Sequence, residues 1–526
     1  MKRRDFLKKS IPAATLIPAV LDGYSVRAFT GHSTLMQSLL MPPTDTDHVL
    51  VIVQLNGGND GLNTVIPVST YSDYYNARTN IAIPQNKILP LDSYSLSGLH
   101  PGMTGMQALY NEGKLAILQA VGYPSPNFSH FRATDIWMTA SDSSTMLTTG
   151  WAGRYLNVEY PNFPDGYPNN SMPDPLAIQI GSVTSLTCQG PVVNMGMSIT
   201  DPASFYNLVN GIPDPAPNTP MGYELSYIRD VANQTNQYAQ RVKAAATAVT
   251  QQAAYPTPNT LADQLKIVAR LIKGGLKTRI YMVSYGGFDT HASQVISTDT
   301  TTGTHANLLT NVSNAIKAFT DDLYFLGVQD RVIGMTFSEF GRRIKSNASG
   351  GTDHGAAAPM FIFGKNVSSG VYGTNPAIPA SASVNDNIPF QYDFRSVYAS
   401  ILQNWFCVQQ TDLQMIMMNN FQQLNIVNAA GCKPATPVNP GDKLIANYPN
   451  PFVQSTTITF TTKGGHTLIQ VINAVGQLIA TLVDQDYPVA GTYSTSFNSD
   501  AFAAGVYYAR LQNGPVQQVR AMLKVR

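Results

Sequence analysis

The chain has 526 residues, and 44% of them are hydrophobic, enough to pack cores of ordinary globular type. Only 12% are charged and the net charge is +1, so no bulk electrostatic term favours nucleic acid or an anionic membrane. Three cysteines exclude a disulfide framework and a Cys₄ zinc site. Cys188 stands alone; Cys407 and Cys432 could pair in an oxidising compartment or remain two buried thiols.

The N-terminus reads Met1-Lys2-Arg3-Arg4-Asp5-Phe6-Leu7-Lys8-Lys9, then an apolar run from Ile11 to Leu21, then small and polar residues with Ala28 as a cleavage point. A run of about eleven residues is too short to cross a bilayer as a helix. Residues 1–30 are therefore expected to be a signal peptide. The paired arginines followed by Asp-Phe-Leu-Lys resemble the twin-arginine export signal, whose route carries folded proteins. No later segment is long and apolar enough for a transmembrane helix.

Residues 45–428 alternate strand and helix patterns. Apolar runs at His48–Leu55, Lys114–Val121, Leu176–Ile180, Arg279–Tyr285, Arg331–Phe337 and Pro359–Phe363 suit buried parallel strands. Helical patterns fall at Ser129–Ala140, Tyr223–Thr250, Thr260–Ile272, Thr304–Leu326 and Phe394–Phe406. Such alternation predicts an α/β domain, a mostly parallel sheet flanked by helices on both faces.

Ligands of such sheets bind at the carboxyl ends of the strands, and four ends carry polar residues. After the first strand, Asn56-Gly57-Gly58-Asn59-Asp60-Gly61 makes a glycine turn expected to expose Asn56 and Asp60. It is not a Gly-x-Gly-x-x-Gly fingerprint, which argues against a dinucleotide. After the second, Ser129 stands at a helix start, either as an N-cap or as a nucleophile aided by the helix dipole and His130. Asp289 and His291 follow a later strand, where both can reach one cation. Glu339 ends another apolar strand and needs a partner there, either Arg342 or a metal. The glycine-flanked His354 is expected over the same edge. Asp289, His291, Glu339 and His354 should converge in one cleft, and carboxylates with imidazoles suit zinc, with manganese, magnesium or calcium as alternatives. Arg132 or Arg342 would hold an anionic oxygen.

Residues 429–446, rich in proline and glycine around Pro434, Pro437 and Gly441, read as a linker. Beyond them, period-two runs at Thr456–Phe460, Thr467–Ile472, Ala480–Val483, Thr492–Phe497, Val506–Leu511 and Arg520–Val525 predict a small antiparallel β-sandwich. Tyr448-Pro449-Asn450-Pro451-Phe452, Asn473-Ala474-Val475-Gly476-Gln477, Gly505-Val506-Tyr507-Tyr508 and the closing Lys524-Val525-Arg526 resemble the type A sorting domain of the type IX secretion system of Bacteroidetes. That likeness, over 447–526, implies the type IX machinery as a partner. It also implies passage through the periplasm to the cell surface or medium.

The larger domain resembles the bacterial family called domain of unknown function 1501. The likeness rests on Leu55-Asn56-Gly57-Gly58-Asn59-Asp60-Gly61-Leu62-Asn63, Ser129-His130-Phe131, Gly287-Phe288-Asp289-Thr290-His291, Ser338-Glu339-Phe340-Gly341-Arg342 and Gly351-Thr352-Asp353-His354-Gly355. That family looks like a member of the alkaline phosphatase and sulfatase superfamily, which implies an alkaline-phosphatase-like fold. By that resemblance Ser129 is the nucleophile, with His130 and Arg342 as further catalytic residues. Asp289, His291 and His354 hold one metal, and Glu339, Asn56 and Asp60 stand near a second. The superfamily's consecutive Asp-His pair is here Glu339-Phe340, and its first Asp is Asn56, so a two-metal clamp is not reproduced. Two functions follow: a metal-dependent hydrolase of phosphate or sulfate esters on a small molecule or glycan, or a non-catalytic cell-surface protein binding glycan or protein on the same scaffold with a residual structural metal site.

Overall fold

Apolar runs without alternation must be buried on both faces, and the chain places them in the middle of one sheet. The computed structural model describes residues 19–21, 24–26, 46–161, 163–164, 166–202, 237–428, 432, 443–448, 450–473, 476–487, 491–514 and 516–525. The expected signal lies outside these residues, apart from two short paired strands, Ala19–Leu21 and Tyr24–Val26. Most of the linker and the first half of the helix expected over 223–250 also lie outside; 237–247 is helical.

The strands of the main sheet are β1 (Val49–Asn56), β2 (Leu115–Gly122), β3 (Ala177–Ile180), β4 (Gly196–Ile199), β5 (Ile280–Gly286), β6 (Val332–Phe337), β7 (Ala358–Phe363), β8 (Gly370–Tyr372) and β9 (Tyr392–Asp393). Their order is β8-β2-β7-β6-β1-β5-β3-β4, with β9 also paired to β2. β1 lies between β5 and β6, parallel to both. β7 is the exception: it runs antiparallel to both β6 and β2. The expectation of a parallel strand at 359–363 is corrected accordingly, since an apolar run buried on both faces reads the same in either direction. The reversal means that the residues entering β7, not those leaving it, reach the edge where β1, β2, β5 and β6 end.

The helices that matter to the two cores and the site are α1 (Thr104–Asn111), α2 (His130–Thr139), α3 (Trp151–Glu159), α4 (Thr260–Lys273), α5 (Thr304–Phe325) and α6 (Phe394–Asn404). Alternate residues of β1 feed two cores. Leu50 and Ile52 pack with α2, α3 and α6 through Trp137, Trp151 and Phe394. Val49, Val51 and Val53 pack with α1, α4 and α5 through Met106, Leu265 and Phe319. α4 starts where the Asn259 side chain accepts the Ala262 amide at 3.1 Å, satisfying one of its orphan donors. α6 starts in the same way, on Asp393. No described helix is long and apolar enough to cross a membrane. Cys407 and Cys432 form a disulfide, and Cys188 is a buried free thiol.

Chain contacts divide the protein into two units, with 43–408 and 412–432 in the first and 433–526 in the second. The second is built of two antiparallel sheets. β10 (Lys443–Tyr448), β11 (Ser455–Thr462) and β14 (Gly491–Asn498) form one; β12 (Gly465–Asn473), β13 (Leu478–Tyr487), β15 (Gly505–Asn513) and β16 (Val516–Lys524) form the other. Ile458, Phe460, Ile469, Val471, Leu511 and Met522 make their shared core. All six strands expected here are present, and β10 is an addition.

Phe319 is fully buried at the centre of the second core of the larger unit. Phe319→Ala should destabilise that unit by about 3–5 kcal/mol, read as a lowered urea midpoint of its unfolding transition.

Candidate functional site: an imidazole–carboxylate cluster at the sheet edge

The site begins with Arg342, a charged side chain with no exposure to solvent. It follows β6 in a two-residue strand, Gly341–Arg342, paired antiparallel to His354–Gly355. Its Nε donates to the Gly58 carbonyl at 2.7 Å and Nη1 to the Thr352 carbonyl at 2.8 Å. Nη2 donates to the carbonyls of Gly57 and Phe288 and, at 2.7 Å, to Asp289 Oδ1. One guanidinium thus joins the loops after β1, β5 and β6. Gly57 must be glycine here: its φ is +123°, and a Cβ would lie 2.3 Å from the Asp289 amide nitrogen. Burial pushes the Asp289 carboxyl up, but Arg342 and the neighbouring His291 and His354 outweigh it and hold the carboxyl below its ordinary range.

Around Asp289 stand three imidazoles. His130 opens α2, with Nε2 3.5 Å from Asp289 Oδ2. His291 Nε2 is 3.1 Å and His354 Nε2 3.3 Å from Asp289 Oδ1, and these two Nε2 atoms are 2.9 Å apart. Each ring is fixed by an acceptor on its other nitrogen. His130 Nδ1 lies 2.8 Å from Glu339 Oε1, His291 Nδ1 3.1 Å from Asp353 Oδ1, and His354 Nδ1 2.8 Å from the Phe128 carbonyl. A carbonyl only accepts, so His354 Nδ1 carries a proton there. Burial lowers the His354 pKa, and Arg342 and His130 add to this against its bonds to Phe128 and Asp289. When His354 is neutral with its proton on Nδ1, its Nε2 carries the lone pair.

Two ring nitrogens facing each other beside a carboxylate either share a proton or hold a cation between them. Zinc–nitrogen bonds of about 2.0–2.1 Å would put neighbouring tetrahedral ligands about 3.3 Å apart, close to the observed separations. The donor atoms of His130, Asp289 and His354 all lie within 4.8 Å of one another. Histidines anchored through Nδ1 by a carboxylate or carbonyl are the usual outer arrangement of imidazole metal sites. The residues present therefore fit a divalent ion.

The cluster opens on a cleft of about 480 Å³, lined by Asn56, Gly57, His130, Phe131, Thr134, Asp135, Asp289 and Glu339. The structure thus brings Asp289, His291, Glu339 and His354 together, as the strand-end argument expected. It assigns other residues differently. Glu339 is buried and receives the Gly57 amide at 2.8 Å as well as His130, so it orients a ring rather than facing an ion directly. Asp60, expected to be exposed near a second metal, is buried, with Arg78 Nη1 2.8 Å from both its oxygens and Gln294 at 2.7 Å. Asn56 lines the cleft. Ser129, expected as nucleophile, is exposed at the start of α2, makes no side-chain cap bond and does not line the cleft. Arg342 has its donors committed to protein acceptors, and Arg132 donates to the carbonyls of Asp142, Ser143 and Thr145. His130, expected as a catalytic partner of Ser129, belongs to the donor cluster instead. Asp353, Thr134 and Asp135 were not singled out. Thr134 and Asp135 were legible as the i+4 and i+5 positions from His130 on the expected helix.

Residues 218–405 match the family described as "Protein of unknown function (DUF1501)", and residues 446–524 match the secretion system C-terminal sorting domain. No curated protein matches the chain. Solved structures similar to it include a chain from a Bacteroides thetaiotaomicron locus for metabolism of multiple glycosaminoglycans, 9% identical, covering 83% of this chain and 89% of that one at TM-score 0.32. A proposed sulfatase of Bacteroides fragilis is 9% identical, covering 84% and 89% at 0.31. Alkaline phosphatase of the Antarctic bacterium TAB5 is 10% identical, covering 62% and 94% at 0.27.

Two predictions follow from the buried groups. Arg342→Met should cost about 3–5 kcal/mol, read by urea unfolding, because it leaves Asp289 and four carbonyls without their donor. Burial also lowers His305 to about 4 and His100 to about 3, against about 6.5 when unfolded. Above pH 6.5 neither state binds these protons; below it only the unfolded chain does. Stability should therefore fall as pH drops from 6.5 toward 4, and His305→Gln should flatten that slope by up to about 1.4 kcal/mol per pH unit.

Proposed function

We propose that the larger unit is a metal-dependent hydrolase of phosphate or sulfate esters, with His130, Asp289 and His354 holding one divalent ion and His291 beside it, its Nε2 2.9 Å from that of His354. The supporting observation is that three imidazoles, each anchored through Nδ1, turn Nε2 toward the Asp289 carboxylate, and that Asp289 and His130 line a cleft. Imidazole with carboxylate favours zinc. Such an ion supplies Lewis acidity toward an ester oxygen. The chain's own part is positional: Glu339 sets His130, Asp353 sets His291, the Phe128 carbonyl sets His354, and Arg342 sets Asp289. Asn56, Thr134 and Asp135 offer polar groups to a substrate entering the cleft.

A second reading, a surface protein that binds glycan or protein around a structural ion, is favoured by one observation. Among the described residues lining the cleft there is no lysine, arginine or serine. The sorting domain implies the type IX secretion machinery and a destination at the cell surface or in the medium. The paired Arg3 and Arg4 support a preceding twin-arginine step through the periplasm, which would let the cluster form in a folded protein.

Purified protein should carry about one divalent ion per chain by elemental analysis. Asp289→Asn and His354→Ala should abolish its retention, and Glu339→Gln should weaken it by about 10–100-fold. Turnover on a panel of phosphate and sulfate esters should disappear on chelation and return with zinc. A metal-replete protein inert on the whole panel would replace the hydrolase reading with the binding one.

A further inference from the structure

Phe131 directly follows the ligand candidate His130, yet its side chain is 87% exposed. It is the most exposed large hydrophobic residue among those described, and it lines the cleft. It shares one face of α2 with Thr134 and Asp135, at i+3 and i+4, and both of these also line the cleft. An aromatic plate left in water beside a reactive site gains by covering an apolar face. The same cleft offers the Asn56 amide, a threonine hydroxyl and the Asp135 carboxylate, with no lysine or arginine among its described lining residues. An occupant that suits both halves is uncharged where it meets α2, has one flat C–H-rich face and carries several hydroxyls. A pyranose ring has those properties.

We infer that Phe131 is a stacking platform for a pyranose unit of the substrate, with Asp135, Thr134 and Asn56 receiving or donating hydrogen bonds to its hydroxyls. The inference rests on the proposed hydrolase only for the reacting end; it names what holds the rest of the molecule. It makes this cleft a carbohydrate site in which the metal cluster faces a substituent on the ring.

The test is binding of cellobiose, lactose and N,N′-diacetylchitobiose to the full metal-loaded chain, by saturation-transfer NMR and calorimetry, with elemental analysis of the same samples. At least one disaccharide should bind with a millimolar or tighter Kd. Phe131→Ala should weaken it about tenfold and Phe131→Trp should keep it within about threefold, both with metal content unchanged. Absence of binding to all three sugars at about 20 mM, or equal binding to Phe131→Ala, overturns the inference. So does binding of phenyl phosphate through Phe131 with no sugar bound. Loss of metal in the wild-type protein would instead mark failure of the metal reading, independently of the sugar result.

Discussion

The site depends on one buried guanidinium. Arg342 sits where β6 has just ended, without solvent, and its donors reach the carbonyls of Gly57, Gly58, Phe288 and Thr352 and the carboxylate of Asp289. A charge so placed is tolerable only when nearly every donor is satisfied. That requirement draws the ends of β1, β5 and β6 together and sets Asp289 in place. Gly57 and Gly58 keep the carbonyls within reach, and the short pairing of Gly341–Arg342 with His354–Gly355 carries His354 to the same point.

From that fixed carboxylate the chemistry follows. Each of the three histidines has one nitrogen committed to an acceptor from a different part of the chain, which leaves Nε2 to face Asp289. Nε2 atoms turned toward one carboxylate are what the proposed divalent ion would use. Beyond the cluster the cleft changes character. An exposed aromatic ring and a few neutral or acidic groups on α2 and the β1 loop suit a polyhydroxylated ring better than an isolated anion, so any charge on the substrate would be met by the ion itself.

The sheet and its two cores were readable because continuous apolar runs and helical periodicity survive without tertiary information. The C-terminal sandwich was readable because alternation at Ile458–Phe460 or Val506–Leu511 has a period that only strands share. The convergence of Asp289, His291, Glu339 and His354 was readable because polar residues at the ends of buried strands must meet at one edge. Three things were not readable. The direction of β7 leaves no mark on its composition. Asp60 seemed exposed because glycines surround it, but its partner Arg78 lies on another segment and folds it inward. Ser129 outranked His130 because a hydroxyl at a helix start is a familiar reactive group, whereas the direction of the next side chain is decided by Glu339, more than two hundred residues away.

The central claim is that one ion sits among His130, Asp289, His291 and His354. Anomalous diffraction at the zinc edge from crystals of the zinc-loaded protein tests it most directly. The account predicts a single strong peak within about 2.0–2.2 Å of donor atoms of His130, Asp289 and His354. A peak at Asp60 and Asn56 instead, or none at the cluster in zinc-replete crystals, would contradict it.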